Sequence, residues 1–292
     1  MPPYNMEGSK VIHYITNHPE MGNMLWLEEG DIQIGIALDY GIRVRHLSIK
    51  GMENLYYQQP ADLSDGFGTP DTWKLRGGHR LWLTPECDDS YYPDDAPISY
   101  TLKEDGVLIV QDVEPPLGIQ KTLEITFRED GTVYLLHNFY NRNDHPIRGA
   151  SWGVNSLDGS GKIQFSYGGG KKGDFYPGTV FALWGATTLA DPRLRIERNR
   201  IYAEHQPIPD YFKLGVYCPD GEAVLESKGQ RLTVGFAVPN IRQLPDQGCN
   251  FELYMHAKFL EMETLGTITD IAPGESASHW ETWKLEKVGS AD

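Results

Sequence analysis

The 292 residues carry 26 Lys and Arg against 41 Asp and Glu, which gives a formal net charge of −15. Because nucleic acids and anionic membranes recruit clustered Lys and Arg, this balance argues against both as partners. Hydrophobic residues make up 40% of the chain and aromatic residues 11%, enough to bury a sizeable core. We expect an ordinary globular protein with a small-molecule ligand, and the composition predicts no particular oligomeric state.

Cysteine and histidine usage argues against metal sites and disulfides. Cys87, Cys218 and Cys249 are far apart and without C-x-x-C spacing, which favours reduced thiols and a cytoplasmic location. The opening residues lack a basic start followed by an apolar run, and no stretch approaches a membrane-spanning length. The nine histidines form no H-x-H or H-x-x-x-H pair, and no G-x-S-x-G elbow exists. We therefore expect no metal and no cofactor.

Strand patterns dominate the chain from its beginning. Ile32, Ile34 and Ile36 alternate with polar or small residues and Gly41 permits a turn, which predicts a hairpin followed by a third strand. Later runs of Val, Ile, Leu, Thr and Tyr, separated by turn residues, predict ten further strands. These lie at 107–113, 119–128, 132–141, 147–155, 212–218, 222–227, 230–237, 249–256, 259–264 and 278–286.

No segment keeps a helical period long enough to predict a sustained helix, so helices should be few and short. A dozen or more strands without a break in composition predict a large antiparallel β-sandwich, a single all-β domain over residues 1–292. Residues 166–195 show no strand pattern and are interpreted as a lid or binding loop. Their GGGKKG run lacks P-loop spacing, which favours a surface loop; the alternative is that Lys171 and Lys172 approach a sugar phosphate.

The stretch LRGGHRLWLTPE, residues 75–86, combines unusual chemistry with no periodic pattern. Arg76 and Arg80 flank His79, and two glycines permit a close backbone approach. Guanidinium groups and an aromatic ring such as that of Trp82 are common in sites that bind sugars or carboxylates. The alternative is turn geometry with salt bridges.

Strand parity near the end of the chain separates an apolar face from a polar one. In the strand at 249–256 the polar face carries Glu252 and His256. In the next strand Glu261 and Glu263 share one side, opposite Leu and Met residues. A carboxylate on a sheet face that forms a groove can act as a general base, particularly where burial raises its pKa. The alternative is a solvated face.

Parity also assigns faces in two other strands. Lys213 lies opposite the apolar residues of its strand, as either a ligand-binding or a solvent-facing lysine. His137 shares a face with Leu135 and Phe139, which favours a core histidine, whereas Asn138 lies on the other face. We take Asn138 and Lys213 as candidate binding residues.

Several of these stretches together resemble the galactose mutarotase-like superfamily, whose members are large antiparallel β-sandwiches that act on or bind carbohydrates. The run IQIGIALDYGIRVRHLSIKGMENLYY looks like the first hairpin of that superfamily. LRGGHRLW is similar to the RGG loop of hexose-6-phosphate epimerase relatives, and FLEMETLGTITDIAPGES to their closing strand pair. The pattern is closest to a mutarotase-like family of unassigned function.

The resemblance implies roles for individual residues. Mutarotation needs a carboxylate base and an acid that protonates the ring oxygen. Glu263 falls at the position of the base and Arg76 at that of an arginine that contacts sugar hydroxyls. Trp152 falls where the catalytic histidine is expected, and a Trp can stack on a pyranose but cannot donate that proton. His79 is therefore the hypothesised replacement acid, with His137 and His256 as the other histidines considered.

Two functions follow from the resemblance. The first is an aldose 1-epimerase-like enzyme, an isomerase acting on a saccharide or sugar phosphate, with Glu263 and His79 as its catalytic residues. The second is a noncatalytic carbohydrate-binding or sensing protein that has lost the catalytic histidine. In both, the groove would bind sugar through a shared set of residues, namely Arg76, Arg80, Trp82, Asn138, Trp152, Lys213, Glu252, His256 and Glu261.

Overall fold

The computed structural model describes residues 10–59, 73–169, 173, 175, 178–185 and 187–289. Over those ranges the chain forms two antiparallel β-sheets and two short 3-10 helices, Asp88–Tyr91 and Ile241–Gln243. The predicted all-β class is confirmed. No helix in the described ranges is long and apolar enough to cross a bilayer. Lys171 and Lys172 lie outside the described residues.

The first sheet is formed by eleven strands of the described chain. They are β1 (Ile12–His18), β2 (Gly22–Glu29), β3 (Ile32–Ala37), β4 (Val44–Ile49), β5 (Gly78–Thr84), β10 (Ile147–Asp158), β12 (Phe181–Leu183), β15 (Phe212–Val216), β18 (Phe251–Met255), β19 (Phe259–Leu265) and β20 (Thr269–Ile271). Their order across the sheet is β1-β2-β3-β4-β5-β10-β19-β18-β15-β12, with β20 paired to β10. At its centre β10, from the middle of the chain, pairs with the early strand β5 on one side and the late strand β19 on the other.

The second sheet is formed by ten strands of the described chain. They are β6 (Ser99–Lys103), β7 (Gly106–Val110), β8 (Ile119–Phe127), β9 (Val133–Asn141), β11 (Lys162–Ser166), β13 (Leu194–Ile196), β14 (Arg200–Glu204), β16 (Glu222–Ser227), β17 (Gln230–Phe236) and β21 (Ser276–Lys287). Their order is β13-β14-β11-β16-β17-β21-β9-β8-β7-β6. Both sheets contribute fully buried aliphatic side chains to one core, including Ile34, Ile36, Leu135 and Val234.

The ten strands predicted from 107–113 to 278–286 are all confirmed, and their ends agree with the structure to within three residues. The hairpin at 32–49 is also confirmed, as β3 paired with β4, but after it Tyr56 makes only an isolated bridge to Leu157. The prediction that 166–195 is free of strands is wrong, because Phe181–Leu183 pairs with β15. Three residues are too few to show a period in the sequence.

Residues 78–84, expected to form a loop, form the strand β5 between β4 and β10. Six of its seven residues are buried, so neither face is solvated and no polar alternation marks the strand. Gly77, just before the strand, and Gly78, its first residue, have positive φ angles of +80° and +81°. A Cβ at Gly77 would lie 1.9 Å from the Tyr57 carbonyl oxygen, and at Gly78 2.3 Å from that of Val44. The predicted close approach is thus to neighbouring backbone.

Candidate functional site

The outer face of the first sheet gathers ionisable side chains from five adjacent strands. Val154 of β10 pairs with Arg80 on one side and with Glu263 on the other. Glu263 in turn pairs with Glu252 of β18. Because alternate residues of a strand point to the same face, the next row outward contains Ser156, Glu261, Tyr254 and Lys213. The register therefore brings residues from distant parts of the chain onto one surface.

This surface forms the floor of a cavity of about 510 Å³, here called the groove, within the size range of small-molecule sites. Among the described residues its lining comprises Trp73, Leu75, Arg80, Trp82, Glu86, Tyr91, Trp152, Trp184, Pro209, Tyr211, Lys213, Tyr254, His256, Phe259, Glu261 and Glu263. Eight of these sixteen side chains are Trp, Tyr or Phe, a composition suited to stacking on the apolar faces of a sugar ring.

Glu263 lies at the floor of the groove with 1% of its surface exposed. The indole Nε1 of Trp152 donates a hydrogen bond to its Oε2 at 2.6 Å, and the Lys213 ammonium lies 2.9 Å from the same oxygen. Burial raises the pKa of Glu263, Lys213 opposes the shift, and neighbouring Glu261 adds to it. The result is a fixed carboxylate that is more basic than an exposed one.

Lys213 joins two buried carboxylates. Its Nζ lies 3.0 Å from Glu252 and 2.9 Å from Glu263, and 4.6 Å from the ring centroid of Trp152. Burial would lower the pKa of Lys213, but the two carboxylates raise it, so the side chain is an ammonium ion. Burial raises the pKa of Glu252 to about 8. The second oxygen of Glu252 is buried without a hydrogen-bond partner among the described residues.

Arg80 forms the other ion pair of the floor. Its Nη1 donates to Ser156 Oγ at 2.9 Å and to Glu261 Oε1 at 3.2 Å. The Ser156 hydroxyl also donates to Glu261. The guanidinium carbon lies 4.5 Å from the ring centroid of Trp82. Arg80 and Glu261 are therefore held to each other before any ligand is present.

His256 lies on the groove wall just beyond the end of β18. Its backbone N–H donates to the Phe259 carbonyl at 2.9 Å, and the backbone N–H of Lys258 donates to its Nδ1 at 3.3 Å. This bond assigns the proton of the neutral imidazole to Nε2. Burial lowers the pKa of His256, so it is neutral near pH 7. Among the described residues it is the one histidine that lines the groove.

His79 does not lie in the groove, so the hypothesis that it serves there as the acid does not fit the structure. Its neighbour Arg80 faces the groove, and parity turns His79 to the space between the sheets. There it is fully buried, with its Nε2 2.8 Å from the Nε2 of His137. His137 is buried as well, which confirms the prediction of a core histidine.

Arg76 and Asn138 also lie away from the groove, contrary to expectation. Arg76 forms an ion pair with Asp95, and its guanidinium carbon lies 3.8 Å from the Tyr40 ring centroid. Its φ of +57° breaks the alternation that would place it with Arg80. Asn138 belongs to the second sheet, where the Ser278 hydroxyl donates to it at 2.7 Å.

Of the other predicted binding residues, six line the groove and Glu252 lies behind them in contact with Lys213. The lining six are Arg80, Trp82, Trp152, Lys213, His256 and Glu261. Most of the other aromatic residues that line the groove were not predicted from the sequence. Trp184 lies within residues 166–195, where a binding loop was expected, but nothing near Trp73 marked it as part of a site. Within the described ranges, no three His, Cys, Asp or Glu residues are arranged to hold a metal ion.

No protein-family model and no curated protein matches the sequence, whereas solved structures match the fold. A TPR-domain containing protein from Parabacteroides distasonis superposes with a TM-score of 0.60 at 14% identity, over 92% of this chain and 48% of that one. A galactose mutarotase-like protein from Lactobacillus casei superposes with a TM-score of 0.55 at 12% identity, over 90% of this chain and 100% of that one.

A provisionally assigned aldose 1-epimerase from Klebsiella pneumoniae superposes with a TM-score of 0.60 at 11% identity, over 94% of this chain and 83% of that one. The chain has the galactose mutarotase-like fold. At these identities the galactose mutarotase-like fold establishes architecture, and activity has to be argued from the groove itself. The chain spans about half of the Parabacteroides protein, all of the Lactobacillus protein and most of the Klebsiella protein.

Proposed function

We propose that the protein binds a saccharide in the groove and interconverts its anomers, as an aldose 1-epimerase-like isomerase. The observation that carries this proposal is Glu263, a buried carboxylate fixed by Trp152 and Lys213 at the floor of an aromatic-lined cavity. The galactose mutarotase-like fold, shared with proteins described as aldose 1-epimerases and mutarotases, supports it.

In the proposed reaction Glu263 is the general base. Because Trp152 and Lys213 both bind Oε2, Oε1 takes the proton of the anomeric hydroxyl. The bond between the anomeric carbon and the ring oxygen breaks, the open-chain aldehyde rotates, and closure from the other face gives the second anomer. A carboxylate whose pKa is raised toward neutrality is a better proton acceptor for this step.

The ring oxygen needs a cation or an acid beside it when the ring opens. In the proposal this group is Lys213, whose ammonium lies 2.9 Å from the base. It stabilises the negative charge that develops on the ring oxygen. Its raised pKa suits charge stabilisation better than proton donation, so a water molecule gives the ring oxygen its proton and takes the proton held by Glu263. The same transfers run in reverse when the ring closes. His256 is two rows along the sheet from Glu263 and serves as a contact for sugar hydroxyls.

A noncatalytic carbohydrate-binding or sensing function is the second candidate. It is favoured by Trp152, which lines the groove and stands where the resemblance expects the catalytic histidine. Contact with aromatic walls binds a pyranose without any proton transfer.

Exchange of α and β anomers, followed by NMR across a panel of aldoses, tests the first proposal. Glu263→Gln should slow enzyme-dependent exchange by about 100-fold or more, because it removes the base while keeping the hydrogen-bonding shape. Glu286→Gln, an exposed carboxylate on β21, is the matched control and should leave exchange unchanged. Thermal stabilisation by a sugar without anomer exchange above background would reject the enzyme and support the binding protein. If no sugar stabilises the protein and none exchanges its anomers, both candidate functions are overturned.

A further inference from the structure

Resting on the proposed saccharide site, we propose that the groove selects sugars without an anionic group and discriminates against sugar phosphates and uronic acids. The charged side chains of the groove are the basis of this inference. Among the described lining residues two are cations, Arg80 and Lys213, and each is already held by carboxylates of the protein.

Lys213 already has two carboxylate partners. Its ammonium contacts Glu252 at 3.0 Å and Glu263 at 2.9 Å, and only 10% of the side chain is exposed. A phosphate would share this ammonium with Glu263 and Glu252, and displacing Glu263 would leave a buried carboxylate without its counter-ion. Such a displacement would also disturb the proposed base.

Arg80 is paired through one end of its guanidinium. Its Nη1 lies 3.2 Å from Glu261 and also donates to Ser156, and its side chain is 5% exposed. The Nε is buried without a hydrogen-bond partner among the described residues. A phosphate that approached this guanidinium would therefore meet the Glu261 carboxylate beside it.

Among the described lining residues, carboxylates outnumber cations. Glu86, Glu261 and Glu263 line the groove together with Arg80 and Lys213, and Glu252 contacts Lys213 without lining the groove. With these three carboxylates ionised, the described lining residues carry a net charge of −1. That count leaves out Glu252, whose pKa burial raises to about 8. Lys258, which is near His256, is exposed and does not line the cavity.

An added phosphate or carboxylate would therefore enter a site of its own sign in a partly desolvated cavity, where like charges repel strongly. Hydroxyl groups instead find carboxylate acceptors, and the apolar faces of a sugar ring find aromatic walls. An ammonium group is also compatible with this surface, because it meets carboxylates and ring faces.

The test uses matched sugars with purified full-length protein at low ionic strength. Glucose, glucosamine, glucuronate and glucose 6-phosphate form one set, and the corresponding galactose derivatives form the other. Calorimetry measures binding and NMR measures anomer exchange. We expect the neutral and amino sugars of at least one set to bind about tenfold or more tightly than their anionic counterparts.

A charge-removing variant checks that the groove itself discriminates. Glu86→Gln removes one rim carboxylate that accepts a hydrogen bond from Tyr91, and it should narrow the gap between neutral and anionic sugars. Glu286→Gln makes the same change in net charge on the second sheet and should leave the gap unchanged. Tighter binding or faster exchange of an anionic sugar by the unaltered protein would overturn the inference and leave the proposed function standing. Failure of every sugar in both sets to bind would instead overturn the proposed function.

Discussion

Trp152 contributes more to the site than a surface for stacking. Its Nε1 donates a 2.6 Å hydrogen bond to Glu263, and this bond holds the pKa of that carboxyl lower than burial alone would set it. Trp152 stands where the resemblance expects a histidine, and its hydrogen bond sets the environment of Glu263, the proposed base.

Trp152→Phe should therefore shift the pH dependence of anomer exchange. Loss of the indole donor raises the pKa of Glu263, so the acid limb of the kcat/KM profile should move to higher pH while a substantial rate remains at high pH. Trp82→Phe alters the same aromatic wall without removing a bond to Glu263 and serves as the control. Equal profiles for the two variants would contradict this role for Trp152.

The face that a candidate residue occupies was predictable wherever polar and apolar residues alternate along its strand. Parity alone placed Glu261 and Glu263 on one face and Lys213 opposite its apolar neighbours, and all three line the groove. Parity cannot reveal which residues meet across the sheet. Trp152 and Glu263 are 111 positions apart, and their contact depends on the pairing of β10 with β19. The same limit explains the wrong prediction for His79. Its sequence neighbours suggested that it lies in the site, but its side chain points between the sheets.

At the scale of elements, β10 separates the groove from a buried polar cluster between the sheets, which contains His79, His137, Thr264, His279 and Glu281. Gly153 lies between Trp152 and Val154, and a Cβ there would meet Glu281 Oε1 at 2.5 Å and Thr264 Oγ1 at 2.9 Å. Thr264 donates to Glu281 at 2.6 Å, so these groups sit directly behind the strand. The missing side chain lets the polar cluster pack against the back of the groove floor.

Gly153→Ala should destabilise the fold by about 1–3 kcal/mol, because the methyl group overpacks hydrogen-bonded atoms that have little room to move. Chemical denaturation gives the change in the free energy of unfolding. Gly185→Ala is the control, since its Cβ would meet only the Tyr211 hydroxyl at 3.9 Å. A variant as stable as the wild type would show that the cluster can shift away from β10.

Long alternating strands such as β8 and β9 were predictable because one face is buried and the other is partly solvated. β5 was not, because both of its faces are covered: Arg80 on one side lines the groove, and His79 on the other lies in the polar cluster between the sheets. A strand with polar groups on two buried faces has no periodic signature.

For the molecule as a whole, the buried histidines make stability depend on pH. Burial lowers the pKa of His79, His137 and His279, the last to about 4, and it also lowers that of His46 to about 4. Between their unfolded pKa of about 6.5 and these lower values, the unfolded chain binds protons that the folded protein does not. This contribution to stability is complete above about pH 6.5 and is lost as the pH falls.

Glu252 acts in the opposite direction, because its pKa rises to about 8 in the fold and its contribution diminishes as the pH rises from about 4.5 to 8. We expect Tm to be highest near pH 6–7 and to fall by more than about 5 °C at pH 4.5. His46→Gln should flatten the acid side of the curve, whereas exposed His145→Gln should not. A Tm that is constant or increasing from pH 6 to 4.5 would contradict the expectation.

The position of β21 in the second sheet affects how the protein folds. Residues 276–287 form an interior strand of the second sheet, between β17 and β9. Until they are available, β9 and β17 each present an open edge that can pair with a strand of another molecule. Folding must therefore wait for contacts between distant parts of the chain, which is slow in β proteins and prolongs exposure to aggregation. A fragment ending before residue 276 would lack the strand that joins the two halves of that sheet, so chaperone dependence during synthesis is a property to look for in this protein.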